Sequence, residues 1–477
     1  MRKIGLLAIV ALLASAMLVP TTAKAAAQCA KANDPGGDWA QFGHDPEGTR
    51  WQDAKATPTA DELLTRMPKW TFSVADGAGD GNFQSSPTIA YGCLFAGTNT
   101  GWIFGLNADT GELVWKTNLK SDDPYGVGLS GGVFSLLAAR GKIYANVTAL
   151  GSPYVAALDA KTGKILWKTI VSKEATAYTN SSPVIINGMI FMGISGPEDG
   201  PDEGRHPGGY AFVDADTGKL ILRRWLASPK EDRRGQKGVS IWSTPVYDAE
   251  TGYAYMGTGQ PANKASEHPL SNSVIKLDMK PGRSTFGEVV DTYKGDYDDG
   301  ADVDFGGSPT LTEDKDGNKI IGILQKSGKF HAIYADTMTQ AWWARLASPD
   351  ALGNAGSPAS DGKSIFVAGD TNPQGGSPGY LYSFDITTGA QNWATPIGGG
   401  VDYHLIAGAG DVVYMITTHG ALIGLNKADG TPVFVRSVAA DSQDACANLS
   451  SGPAVARNTI YAVCDIGGAG TGWIIAY

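Results

Sequence analysis

Hydrophobic residues along this chain occur in short runs that are bounded by glycine, proline and polar residues. Runs such as GCLFAG (92–97), GKIYAN (141–146) and GMIFMG (188–193) mix aliphatic and aromatic residues. Runs of this length and composition are typical of buried strands, whereas stretches with the 3.6-residue period of a helix are scarce. The pattern therefore predicts an all-β protein built from many short strands.

A second pattern follows these runs and repeats along the chain. Each copy has a strand, a turn related to Asp-x-x-Thr-Gly, and a second strand, with the glycine four positions before a final large apolar residue. The copies are GLNADTGELVW (105–115), ALDAKTGKILW (157–167), FVDADTGKLIL (212–222), SFDITTGAQNW (383–393) and GLNKADGTPVF (424–434). The glycine supplies the positive φ that a tight turn needs, and the final tryptophan is expected to pack against an adjoining repeat.

The spacing of the copies predicts the architecture. Successive turn glycines at 111, 163 and 218 are 52 and 55 residues apart, and those at 389 and 430 are 41 apart. A period of this size suits one four-stranded propeller blade. Counting the hairpins gives eight, so we predict an eight-bladed β-propeller, with seven blades as the alternative.

The two ends of the chain are predicted to close the ring. The last hairpin, which ends at Tyr477, lacks its outer strand, whereas PKWTFSV (68–74) has the pattern of an outer strand without inner ones before it. The N-terminal strand is therefore expected to complete the C-terminal blade. We assign residues 69–477 to a single propeller domain and residues 28–68 to an N-terminal extension.

The first 27 residues have the pattern of a secretory signal peptide. Arg2 and Lys3 precede an apolar run, and small residues suited to signal peptidase follow it. We expect a secreted or periplasmic protein, and no later apolar run is long enough to span a bilayer. The net charge of −10 becomes more negative when the signal is removed, which argues against nucleic acid as a partner.

The chain has four cysteines, which can pair in three ways. Export favours disulfides over free thiols, and we favour a bridge between Cys446 and Cys464. Two buried free thiols are the alternative at these positions. No Cys-x-x-Cys-His sequence occurs, which excludes a covalently attached c-type haem in this chain.

Several segments resemble one family of propellers in particular. They are the repeats above, DWAQFGHDPEGTRW (38–51), GISGPEDG (193–200), DVDFGGSP (302–309) and QKSGKFHAI (325–333). Together they resemble the quinoproteins, that is, the alcohol dehydrogenases that depend on pyrroloquinoline quinone (PQQ). The polyvinyl-alcohol dehydrogenase branch is the most similar, although this chain has no haem domain. The repeats alone also resemble outer-membrane assembly lipoproteins, which are not enzymes.

The resemblance implies a calcium site. The glutamate that ligates calcium in the family corresponds to Glu198, and the catalytic aspartate beside the metal corresponds to Asp304. The family has an asparagine ligand eighteen residues after a tryptophan; this chain has Gln260 eighteen residues after Trp242. An amide oxygen suits a hard cation, although the longer side chain of glutamine moves that oxygen by about one bond length.

The resemblance also implies residues that bind PQQ and act in catalysis. Asp304 corresponds to the catalytic base, and Lys326 corresponds to the cation that faces the quinone oxygens. Trp242 corresponds to the ring beneath the cofactor, and a flat aromatic surface is what a planar tricyclic molecule needs for stacking. Ser195 and Asn180 fall where the family has hydroxyl side chains that reach the cofactor.

Simpler structural roles exist for the same side chains. Asp304 could accept backbone hydrogen bonds at a turn, and Trp242 could belong to the core. Lys326 and the acidic loop around Glu198 could be solvated surface. A scaffold has no physical need for this set of side chains. Whether they have functional or only structural roles therefore distinguishes an enzyme from a scaffold.

The resemblance therefore implies an exported quinoprotein dehydrogenase that oxidises an alcohol, secondary or polymeric, by hydride transfer to PQQ. Because no haem is present, a separate cytochrome or quinone would have to accept the electrons. The alternative is a propeller that has lost its cofactor and serves as a scaffold or binding module at the cell surface. The glutamine at position 260 favours this alternative.

Overall fold

The computed structural model describes most of the chain after the predicted signal peptide. The described residues are 29, 37–53, 57–83, 86–119, 132–196, 208–227, 238–261, 268–296, 303–347, 355–369, 379–398, 405–442, 452–464 and 472–477. The signal peptide lies outside them. No helix in these ranges is long and apolar enough to cross a membrane.

The strands form eight antiparallel sheets that are arranged as the blades of a propeller, which confirms the predicted all-β fold and blade number. Blades 1 to 4 each take four consecutive strands. Their strands are β3 Thr88–Ala90, β4 Cys93–Gly97, β5 Trp102–Asn107 and β6 Leu113–Asn118; β7 Leu137–Ala139, β8 Lys142–Val147, β9 Tyr154–Asp159 and β10 Ile165–Ile170; β11 Ile185–Ile186, β12 Met189–Ile194, β13 Gly209–Asp214 and β14 Leu220–Trp225; β15 Val246–Asp248, β16 Tyr253–Gly257, β17 Ser273–Asp278 and β18 Val289–Lys294.

Blades 5 to 7 repeat this order, and blade 8 combines both ends of the chain. Their strands are β19 Thr310–Glu313, β20 Lys319–Leu324, β21 Lys329–Tyr334 and β22 Thr339–Arg345; β23 Ala359–Ser360, β24 Ser364–Gly369, β25 Tyr380–Asp385 and β26 Gln391–Pro396; β27 Ala407–Ala409, β28 Val412–Ile416, β29 Ala421–Asn426 and β30 Pro432–Ser437; β31 Ala454–Ala456, β32 Thr459–Cys464, β33 Trp473–Ala476 and β2 Trp70–Ser73. Strand β1, Trp51–Gln52, pairs in parallel with β27. In the described ranges, two short helices, α1 Ala60–Thr65 and α2 Val438–Asp441, lie outside the sheets.

Ring closure occurs as predicted. Strand β2 pairs antiparallel with β33, with Trp70 opposite Ala476 and Ser73 opposite Trp473. The outermost strand of blade 8 therefore comes from the N-terminal part of the chain, and its other three strands come from the C-terminal end. This pairing satisfies an edge that would otherwise be open.

Tryptophans of the repeats join several blades to the next one. The indole of Trp115, on the last strand of blade 1, donates to the carbonyl oxygen of Ala160 in blade 2 at 2.9 Å. Its ring lies against Gly163, which has a φ of +70°, and a Cβ there would come within 2.4 Å of the indole. Trp342 and Trp393 make the same contact with the blades that follow them. The repeated glycine is therefore required both by the turn and by the tryptophan.

Hydroxyl groups near the axis connect neighbouring blades. In the described ranges, five Ser-Pro or Thr-Pro pairs precede the first strand of a blade, at Ser86, Ser182, Thr244, Ser308 and Ser357. The backbone N–H of Ser182 donates to Thr244 Oγ1, that of Thr244 to Ser308 Oγ, and that of Ser308 to Ser357 Oγ, at 2.8–3.0 Å. The proline fixes an extended entry to each first strand, so the hydroxyls repeat around the ring.

The N-terminal segment 38–52, here called the base segment, crosses one end of the axis. Its main-chain groups exchange hydrogen bonds with the first strands of six blades, at Ile89, Ala138, Tyr247, Leu311, Ser360 and Gly408. The Gln52 amide donates to Val455 in blade 8. The motif DWAQFGHDPEGTRW is therefore part of the architecture.

Arg50 holds the base segment in place from inside the ring. Its guanidinium is buried and donates to the carbonyl oxygens of Gly48, Pro309 and Pro358. Burial lowers the pKa of Arg50 to about 9. One side chain thus connects the base segment to blades 5 and 6.

The structure contains a disulfide between Cys29 and Cys93, which ties the N-terminal extension to strand β4 of blade 1. A loop of 64 residues is closed, and the chain-entropy model gives about 4 kcal/mol of stabilisation for a loop of this size. The predicted Cys446–Cys464 bridge is compatible with this pairing. Cys446 lies outside the described residues, so that bridge stays a prediction.

Ring closure can be tested by comparing two truncated chains. A chain that begins at residue 75 loses β2, so the open edge of β33 should cause aggregation or loss of cooperative unfolding. A chain that begins at residue 57 keeps β2 but loses the base segment, and it should fold with a lower melting temperature. Calorimetry and light scattering distinguish the two. Equal melting of the residue-75 chain and the full chain would contradict the role of β2.

Candidate functional site

Five of the predicted site residues lie at the same end of their blades, opposite the base segment. Ser195 and Gln260 follow the second strands of blades 3 and 4, and Lys326 follows that of blade 5. Trp242 and Asp304 precede the first strands of blades 4 and 5. Because first and second strands are antiparallel, the start of one and the end of the other lie at the same end of a blade.

Asp304, Lys326 and Trp242 form a compact group. Lys326 Nζ lies 3.0 Å from Asp304 Oδ1, and both side chains are buried, with 7% and 6% of their surface exposed. The same nitrogen lies 4.4 Å from the centroid of the Trp242 ring. The Lys326 backbone N–H also donates to the Asp304 carbonyl oxygen at 3.0 Å. The ammonium therefore contacts both a carboxylate and an aromatic face.

The glycines after Asp304 allow the chain to pass close to this group. A Cβ at Gly306 would come within 2.7 Å of both the Trp242 ring and Ala355. Phe305, which is fully buried, packs against Gly257 and Gly295 in the same way. The sequence DFGG is thus explained by contact between neighbouring blades, with the carboxylate of Asp304 beside Trp242.

Ser195 and Gln260 are positioned by short backbone pairings. Ser195 exchanges two main-chain hydrogen bonds with Tyr178, and the carbonyl oxygen of Gln260 accepts from Val239 N at 2.9 Å. Ser195 Oγ and Gln260 Oε1 are buried and have no hydrogen-bond partner within the part of the chain that the structure describes. Buried polar atoms normally have partners, so two such oxygens at this end of blades 3 and 4 fit a polar ligand or a cation.

The other two predicted residues are less informative. Asn180 is half-buried and lies two residues beyond Tyr178, the partner of Ser195. Glu198 lies outside the described residues. In the described ranges, no three His, Cys, Asp or Glu side chains form a group that could hold a metal ion. The predicted calcium site therefore stays a prediction.

A buried polar network behind Lys326 was not predicted from the sequence. Gln325, which directly precedes Lys326, is fully buried together with His331. Gln325 Oε1 lies 2.9 Å from His331 Nε2, and His331 Nδ1 lies 2.9 Å from the Tyr293 hydroxyl. Both polar residues lie inside QKSGKFHAI, but nothing in that segment indicates which of its side chains point inwards.

His331 is held neutral in this network. Burial lowers its pKa to about 3, and the nearby charge of Lys329 acts in the same direction. A neutral imidazole carries one N–H. Because Nε2 faces an amide oxygen, that nitrogen carries the hydrogen, and Nδ1 accepts from Tyr293.

The chain was compared with known proteins. The family model described as "Glucose/ethanol/alcohol dehydrogenase, beta-propeller domain", which is named for PQQ, matches residues 39–337. This range contains every candidate site residue. The chain belongs to this PQQ propeller family. Membership confirms the resemblance that the sequence motifs carried.

Individual relatives agree with the family. Polyvinylalcohol dehydrogenases from a Pseudomonas species and from Sphingopyxis sp. strain 113P3 are each 26% identical to the chain, over 390 and 415 residues. The alignments cover 75% and 77% of this chain but 59% and 61% of those proteins. The chain thus spans about three fifths of the length of the curated relatives it matches.

Solved structures support the fold. The quinohemoprotein alcohol dehydrogenase from Comamonas testosteroni superimposes with a TM-score of 0.73 at 15% identity, covering 93% of this chain and 81% of that one.

A second family model, "Outer membrane protein assembly factor BamB", matches residues 315–470. Of the candidate site residues, that range contains Lys326 and none of the others.

The neutral state of His331 predicts a pH dependence of stability. The unfolded state binds a proton at this residue below about pH 6.5, whereas the folded state does not until about pH 3. Falling pH therefore favours unfolding, by about 1.4 kcal/mol per pH unit in this window. Relative to His331→Gln, the wild-type protein should lose about 2 kcal/mol of unfolding free energy between pH 7 and pH 5 in urea titrations. If the unfolding free energies of the wild type and of His331→Gln changed equally with pH, the pKa of His331 would not be lowered in the folded state.

Proposed function

We propose that the protein is an exported, PQQ-dependent alcohol dehydrogenase whose active site lies on the propeller axis at Asp304, Lys326 and Trp242. The observation that supports this most strongly is the buried Asp304–Lys326 ion pair against an aromatic face. The arrangement lies in a chain that belongs to the PQQ propeller family. A buried ion pair is costly to desolvate, and a propeller does not need one at this position for stability.

PQQ, when bound, supplies the two-electron acceptor for oxidation of the alcohol. In this proposal Trp242 provides the flat surface on which the tricyclic cofactor lies. Lys326 provides a positive charge and Ser195 a hydroxyl group for its oxygens, and Asn180 is included on the family resemblance alone. The unpartnered Ser195 Oγ is what leads us to include this residue.

Calcium would be held by oxygen atoms at the same place. Gln260 Oε1 is a neutral oxygen without a described partner, which suits a hard cation. Glu198 and Asp304 would supply carboxylates. Glutamine in place of asparagine does not remove the donor atom, but it makes the ligand longer and more flexible.

Asp304 would accept the proton of the substrate hydroxyl. A carboxylate next to an ammonium group favours its ionised form, which is the form that can act as a base. The burial of both side chains excludes water from the pair, so the base and the charge beside it stay fixed in position. The sequence contains no Cys-x-x-Cys-His motif, and in this proposal a separate cytochrome or quinone reoxidises the site.

The substrate class is proposed from the relatives. The proteins named polyvinylalcohol dehydrogenases are similar over three quarters of this chain, which favours secondary or polymeric alcohols. A cofactor-free scaffold is the second candidate, supported by the match of residues 315–470 to an outer-membrane assembly factor. That match covers most of blades 5 to 7 and part of blade 8, whereas the site involves residues of blades 3, 4 and 5.

Cofactor binding can be tested with purified protein. We expect that PQQ and Ca²⁺ together produce a bound quinone absorption band and raise the melting temperature, because a ligand that binds the folded state stabilises it. PQQ with a chelator should raise it less. Trp242→Ala should abolish both effects. An unchanged melting temperature at saturating PQQ and Ca²⁺ would favour the scaffold.

The base can be tested with Asp304→Asn. The amide keeps the shape of the side chain but cannot accept a proton, so the kcat for alcohol oxidation should fall by at least about 100-fold while PQQ still binds. Asp278→Asn is a matched control, since Asp278 is also buried and paired with a cation, Arg283, at the opposite end of blade 4. It should keep its activity. If the Asp304 variant oxidised alcohol at the wild-type rate, Asp304 would not be the base and would only cap a turn.

A further inference from the structure

The side chain of Gln325 makes four hydrogen bonds. Nε2 donates to the carbonyl oxygens of Asp296 and Val303, at 2.8 and 2.5 Å. Oε1 accepts from the Asp296 backbone N–H at 3.0 Å and faces His331 Nε2 at 2.9 Å. The residue is fully buried, so every polar group of this amide has a partner away from solvent.

These bonds connect the two segments that carry the ion pair. Gln325 directly precedes Lys326, and its partner Val303 directly precedes Asp304. The second link between the same segments is the hydrogen bond from Lys326 N to the Asp304 carbonyl oxygen. Two adjacent links therefore join the main chains around Asp304 and Lys326. One is a main-chain hydrogen bond, and the other is the side chain of Gln325.

His331 and Asp296 determine which way the amide points. Two N–H groups, from Asp296 and His331, face one end of the Gln325 amide, and two carbonyl oxygens face the other. If the amide were flipped, its NH2 group would face the two N–H donors and its oxygen would face the two carbonyl oxygens, so no hydrogen bond could form. The Tyr293 hydroxyl in turn occupies His331 Nδ1. The network thus permits one orientation, which keeps Nε2 directed at Val303.

We propose that Gln325 is a positioning residue, which sets the separation between Asp304 and Lys326. The catalytic consequence of this inference rests on the proposed function. Its structural part, that Gln325 sets the distance between the two side chains, does not. The base and the cation must stay close for the carboxylate to remain ionised and correctly directed at a hydroxyl group. Small displacements of such groups cost large factors in rate. Gln325 acts through these two residues and does not itself face the substrate.

The test compares Gln325→Met with Gln52→Met. Both glutamines are buried and donate Nε2 to two main-chain carbonyl oxygens, but Gln52 lies in the base segment, at the other end of the axis. The reporter is the reactivity of the Lys326 amine toward reductive methylation in the cofactor-free protein, read by peptide mass spectrometry. Lys315, which is 69% exposed, is the reference lysine.

We expect both variants to lower the melting temperature by similar amounts. Only Gln325→Met should raise the methylation rate of Lys326, by at least about 10-fold, and lower kcat by a similar factor with little change in KM. Gln325→Glu keeps an acceptor for His331 and, in its protonated form, one donor for the two carbonyl oxygens, so it should lie between wild type and Gln325→Met. This milder variant also keeps the test usable if the methionine variant does not fold.

Two results would overturn the proposal. One is methylation of Lys326 at the wild-type rate in both Gln325 variants despite lower melting temperatures, since Gln325 would then only stabilise the fold. The other is a wild-type Lys326 as reactive as Lys315. If methylation responds as expected but no form of the protein oxidises alcohols with PQQ, the positioning role stands and the proposed enzymatic function fails.

Discussion

The rest of the structure depends on the main-chain pairing between β2 and β33. A ring of sheets has a fixed circumference only when its first and last strands are bonded, and here four residues at each end of the chain make that bond. The axis, and any site on it, exists only because the ring is closed. The base segment then crosses one end of the axis and bonds to the first strands, which leaves the other end for the residues that precede and follow them.

Closure brings together side chains that are far apart in sequence. Ser195, Trp242, Gln260, Asp304 and Lys326 come from three blades, and each lies at a strand end, where the backbone is free to turn towards the axis. The tryptophan contacts between blades lie elsewhere in the ring and use none of the site residues. The repeats can therefore be shared with propellers that are not enzymes, as the match of residues 315–470 to an assembly factor illustrates.

The polar interior around Asp304 has a cost that the fold offsets with hydrogen bonds. Burying an ion pair and a neutral histidine removes favourable hydration, and such groups are tolerated when every remaining donor and acceptor is satisfied. Gln325 supplies four of these bonds, and the glycines at 306 and 307 allow the backbone to approach closely enough for the packing. Stability and site geometry are therefore coupled at this point of blade 5.

The sequence alone determined the class of fold, the blade number, the strand that closes the ring and the family, because these follow from local periodicity and from motifs that repeat or align. It also named Asp304, Lys326 and Trp242, which the structure brings into contact. Only the tertiary structure decided that Cys29 pairs with Cys93, that the segment at 38–52 bonds to the first strands of six blades, and that Gln325 and His331 lie behind the ion pair. A disulfide partner and a buried hydrogen-bond network depend on distances between segments, and strand periodicity carries no information about those distances.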